Sequence, residues 1–93
     1  MKVTYKQTED GYILCDESGN NIHYNAPLAS HTEDGIKNIR DIINTYNAYG
    51  DEVDRLVKSD DPSWEAKWET AFALWCNYKA DHIDVLSHYG DAI

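Results

Sequence analysis

Apolar and polar residues alternate with a period of two near the start of the chain. Val3-Thr4-Tyr5-Lys6-Gln7 places Val3 and Tyr5 on one face of a strand. Glu9-Asp10-Gly11 is a turn signal, and Tyr12-Ile13-Leu14-Cys15 follows as a second β-prone run. Ser18-Gly19-Asn20-Asn21 marks another turn leading into Ile22-His23-Tyr24, so residues 1–27 read as an antiparallel meander of two to three strands. Pro27 closes it, because proline cannot donate to a strand ladder.

From about residue 30 the period becomes helical. Ser30 and Glu33 have capping-box spacing, and Asp34 adds negative charge to the first turn. Ile36, Ile39, Ile43, Tyr46, Gly50, Val53 and Val57 share one register. One helix over 31–58, continuous or gently kinked at Gly50, is therefore expected. Ser59-Asp60-Asp61-Pro62-Ser63 breaks the pattern, with Asp61 placed to cap a second helix and Pro62 at its first position. Trp64, Trp68, Ala71, Trp75, Tyr78, His82, Val85 and Tyr89 then step by four and three, with Phe72, Cys76, Ile83 and Leu86 widening the stripe. A single helix over 62–89, ending at a C-cap Gly90, would be a rod of roughly 40 Å. The fold class is α+β: the meander packs on an antiparallel hairpin of two long helices, within one domain spanning 1–93.

Composition narrows the function. A chain of 93 residues has room for a single core. No apolar run is long enough to span a membrane, and no basic-then-apolar leader follows Met1, so a cytoplasmic protein is expected. Cys15 and Cys76 lie in no CxxC pair and beside no His, which favours two buried, reduced thiols over a disulfide, zinc or thiol catalysis. Seventeen acidic residues against eight Lys and Arg give a formal charge of −9. That charge repels nucleic acid and anionic membranes and attracts a basic protein surface.

Catalytic patterns are absent. The chain has no GxSxG nucleophile elbow and no glycine-rich phosphate loop, and its paired carboxylates have no His beside them. His82 on the apolar stripe reads as a core-edge histidine rather than a pH switch. Asp84 and His88, four residues apart, make an ion pair more simply than a metal site. No enzyme activity, metal or cofactor is expected.

The acids are the more informative pattern. Asp51, Glu52, Asp54, Asp60 and Asp61 crowd around the end of the first helix and the turn, and Glu65 and Glu69 extend them onto the second. Carboxylates held in rows on a helical scaffold can imitate a phosphate backbone, whereas the plainer reading is a solvated helix face. In its short length, its hairpin Val3–Asp16, its helices Ile36–Val57 and Trp64–Tyr89 and its negative charge, the chain resembles small acidic phage-encoded inhibitors of the anti-CRISPR or anti-restriction type. That resemblance implies an inhibitor acting in the host cytoplasm. It would block a basic, nucleic-acid-handling partner through Asp51, Glu52, Asp54, Asp60, Asp61, Glu65 and Glu69, without binding nucleic acid itself. The alternative is an assembly module. In that reading Trp64, Trp68, Trp75 and Tyr78 form a homodimer stripe, and Trp68→Ala costs several kcal/mol where the ring is fully buried.

Overall fold

The computed structural model describes residues 2–9, 11–22, 32–89 and 93. Strands β1 (Val3–Thr8) and β2 (Gly11–Asp16) form a two-stranded antiparallel sheet in which Val3 pairs with Asp16 and Thr8 with Gly11. The third strand of the expected meander is reduced to one isolated bridge between Cys15 and Asn21, and His23 and Tyr24 lie outside the described residues. Asp16 builds the turn before that bridge. Its Oδ1 accepts from the backbone of Ser18 and Asn20, both at 2.9 Å, while Gly19 takes a φ of 87° that other residues rarely adopt. These donors hold the Asp16 carboxyl below the usual range, led by the Asn20 N–H.

Helix α1 runs unbroken from Glu33 to Val57, so Gly50 neither ends nor divides it. The N-cap is Thr32, whose Oγ1 accepts from Gly35 N at 3.1 Å; Ser30, expected in that role, lies outside the described residues. Helix α2 (Trp64–Asp81) begins later than the sequence suggests, because Pro62 and Ser63 form a turn before it. Asp61 organises that turn through Oδ1, which accepts from Ser63 N at 2.8 Å, but does not cap the helix itself. The expected single rod over 62–89 is also interrupted. His82 leaves the helical region at φ −123°, and a four-residue helix α3 (Ile83–Leu86) follows.

The bend at His82 has a packing reason. It brings Leu86 and Tyr89, 1% and 5% exposed, into the core with Val3, Leu14, Ile36, Ile42, Ile43 and Tyr46. Burying each aliphatic side chain of this set stabilises the fold by about 1.5–3 kcal/mol. The sheet packs on α1, and α3 closes the same end. Asn44 of α1 fastens β1 there: Val3 N donates to Asn44 Oδ1 at 2.8 Å, and Asn44 Nδ2 donates back to Val3 O at 2.9 Å. Tyr5 and Tyr12, edge-to-face at 6.0 Å, both direct their hydroxyls to Glu33 in the first turn of α1.

Contacts between α1 and α2 run in opposite sequence directions. Tyr46 and Gly50 meet Trp75 in the second half of α2, and Val57, at the end of α1, lies by Trp64 and Trp68 at the start of α2. The two helices are therefore an antiparallel hairpin, and the molecule is elongated, 52 × 26 × 20 Å. Sheet and core occupy one end, and the interhelical turn forms the other.

Candidate functional site

That architecture gathers the acidic residues at the turn end. Asp51, Glu52 and Asp54 lie in the last two turns of α1, Asp60 and Asp61 in the connection, and Glu65 and Glu69 in the first two turns of α2. At about 1.5 Å of rise per residue, all seven fall within roughly 10 Å of the tip along the helix axes. The stretch from 51 to 69 opposes them with three cations, Arg55, Lys58 and Lys67.

Two of the seven are neutralised within the chain. Arg55 reaches Glu52 with Nε to Oε2 at 2.8 Å, and Lys67 pairs with Asp61. Each cation holds its carboxyl below the ordinary value: Arg55 acts on Glu52 mainly by hydrogen bonding, and Lys67 acts on Asp61 likewise, with help from Ser63 N–H. Asp51, Asp54, Asp60, Glu65 and Glu69 are exposed, and none forms an ion pair with a described residue. These five are the charges available to a partner. The Glu52–Arg55 pairing was visible as i, i+3 spacing. The six-residue reach of Lys67 back across the turn had no periodic signal.

The aromatic stripe departs from its expected burial. No residue of α2 is buried: Trp64, Trp68, Trp75 and Tyr78 are half-buried, Cys76 is exposed, and Phe72 and Leu74 are 40% and 50% exposed, as is Ile83 of α3 at 50%. The reason is coverage. Helix α2 has α1 on one side, whereas the sheet packs on α1. Trp68 therefore does not meet the condition of full burial under which its truncation would cost several kcal/mol. Trp68 and Phe72 instead stack at 5.0 Å and 14°, and Phe72 meets Trp75 edge-on at 6.1 Å. The Nε1 atoms of Trp68 and Trp75 are covered and have no hydrogen-bond partner among the described residues, an unfavourable state for a buried donor.

Two shallow grooves flank α2 at the tip. One is lined by Val57, Trp64, Glu65, Trp68 and Glu69, so acids of the tip and rings of the stripe share one concavity. The other, between Glu52 and Leu56 of α1 and Ala66, Lys67, Thr70, Ala71 and Leu74 of α2, is bordered by the paired charges. Val57, 55% exposed, was expected on the inward register of α1 and instead edges the first groove.

His82 packs its ring on Tyr78 at 4.4 Å, as a residue at the edge of the stripe. Among the described residues no group of three or more His, Cys, Asp or Glu is placed to hold a metal. Both cysteines are free, with Cys15 buried and Cys76 exposed. Among the described residues no helix is long and apolar enough to cross a membrane. In comparisons with known proteins, the chain matches no family model, no curated protein and no solved structure.

Proposed function

We propose that the chain is a non-enzymatic, acidic protein-binding inhibitor that acts in the cytoplasm. Its carboxylate-bearing tip would occupy the basic site of a nucleic-acid-handling partner, such as a CRISPR or restriction defence complex, as the small phage-encoded inhibitors it resembles do. The observation that carries this reading is the tip: five exposed acids that form no ion pair with a described residue, held on the turn end of a two-helix scaffold. Such an array attracts a surface evolved to neutralise phosphates, speeds its encounter and loses strength as salt screens it. The test is a pull-down with the tagged protein from bacterial lysate at low and high salt. A basic nucleic-acid-binding protein should be retained at low salt and released at high salt. Recovery of no basic protein at low salt contradicts the reading.

A second reading, an assembly module, draws on the exposed Phe72, Leu74 and Ile83 of the incompletely covered helices α2 and α3. It predicts a mass that rises with concentration in sedimentation and persists at high salt. A monomer at every concentration removes it.

A further inference from the structure

The groove of Val57, Trp64, Glu65, Trp68 and Glu69 combines two features that the sequence presented as rival explanations. It is lined by the apolar and aromatic Val57, Trp64 and Trp68 together with two exposed acids, Glu65 and Glu69, that no described cation neutralises. Spacing accounts for the combination: Trp64 and Trp68 stand one turn apart, and so do Glu65 and Glu69, one position round the helix. One face of Trp68 is stacked on the ring of Phe72 at 5.0 Å. The neighbouring groove differs. Its acid Glu52 is held by Arg55, and its Lys67 is committed to Asp61.

We infer that the Val57–Trp64–Trp68 groove docks an arginine-bearing segment of a partner protein. The guanidinium would lie against an indole face and bond to Glu65 or Glu69. Charge complementarity selects this occupant. An aromatic plane beside free carboxylates suits a planar, weakly hydrated cation, which can stack and hydrogen-bond at once. Lysine can satisfy the charge but presents no plane to the ring. A second copy of the chain is disfavoured in the same groove, because an isologous contact would bring Glu65 and Glu69 against their own equivalents. The inference rests on the acidic-tip reading and adds to it a location and a preferred side chain.

The test uses the full chain, whose three tryptophans all lie in α2, with indole fluorescence as the readout. The probes are two synthetic nonapeptides alternating serine with arginine or with lysine, at equal charge. The arginine peptide should bind at least fivefold more tightly than the lysine peptide. Glu65→Gln with Glu69→Gln should weaken it at least tenfold, while Glu17→Gln with Asp81→Asn, which remove equal charge from exposed acids outside the tip, should weaken it less than threefold. Circular dichroism confirms that each variant keeps its helices. Equal binding of both peptides, with only the Glu65 and Glu69 variant weakened, overturns the arginine occupant and leaves the acidic tip standing, whereas both variants weakened alike reduces the interaction to net charge and overturns both. Binding that neither variant weakens overturns both. Sedimentation showing a dimer that Glu65→Gln with Glu69→Gln tightens overturns the arginine occupant in favour of a second copy.

Discussion

Gly50 of α1 lies directly against the indole of Trp75 in α2. A methyl group built on Gly50 would come within 3.2 Å of two ring carbons and 3.3 Å of Nε1. The glycine thus sets the distance between the two helices at mid-hairpin, where Trp75 also packs on Tyr46 at 5.6 Å. Alanine at position 50 would gain about 1 kcal/mol of helix propensity. Overpacking against a rigid ring costs about 1–3 kcal/mol. Gly50→Ala should therefore lower stability by about 1 kcal/mol in urea unfolding. Repeated in a Trp75→Ala background, where the crowding ring is gone, it should raise stability. A stabilising effect in both backgrounds would show that the close approach does not constrain the hairpin.

Asn44 satisfies both backbone groups of Val3 at a part-buried position. Asn44→Asp keeps the acceptor, deletes the donor to Val3 O and sets a carboxylate against a carbonyl. An unsatisfied buried group costs about 1–3 kcal/mol. Loss of that size in chemical unfolding is expected, with Asn44→Ala also destabilising. Unchanged midpoints for both variants would mean that β1 is held by its apolar face alone.

Leu86 and Leu74 have the same side chain and opposite surroundings, 1% and 50% exposed. Leu86→Ala should cost about 2–5 kcal/mol because it opens a cavity where α3 meets the core. Leu74→Ala should stay within about 0.5 kcal/mol, as surface changes do. Equal costs would contradict the packing of Leu86 into the core beside Val3, Leu14 and Ile36.

The pH dependence has a definite sign. Asp16, Glu33, Glu52 and Asp61 all have carboxyls held below their ordinary values, by Asn20 N–H, Lys37, Arg55 and Lys67 respectively. A carboxyl with a lowered folded value stabilises the fold above its unfolded value, near pH 4, and loses that contribution as pH falls through the folded one. Unfolding midpoints should be level near neutrality and drop below about pH 4. Asp16→Asn should be less stable than the natural chain at pH 7, with the gap closing by pH 2. A gap that is constant from pH 7 to 2 would separate Asp16 from this effect.

Much of the fold was legible because local signals agree with it. The hairpin turn, the 3.6-residue stripe of α1 and the break at 59–63 each follow from residues close in sequence. Gly50 was ambiguous for a physical reason: propensity opposed the helix, and only its contact with Trp75, 25 positions away, explains the glycine. The bend at His82 carried no signal at all. The stripe through Tyr78, His82, Val85 and Tyr89 continues across it, and the cause is the distant core that receives Leu86. Burial on α2 was overestimated because periodicity shows which residues share a face, not whether another element covers that face. The acidic cluster was readable as composition. Its division into paired and unpaired carboxylates depended on the return of Lys67 to Asp61.

The most direct test of the central claim compares two charge reversals of equal size in binding to the partner recovered by pull-down. One variant carries Asp51→Lys, Asp54→Lys and Asp60→Lys at the tip. The other carries Glu17→Lys, Asp81→Lys and Asp84→Lys, three exposed acids outside the tip. The tip variant should bind more than tenfold more weakly, mainly through slower association at low salt, while the matched variant loses less than threefold. Equal losses would reduce the interaction to net charge, and no loss in the tip variant would contradict the account.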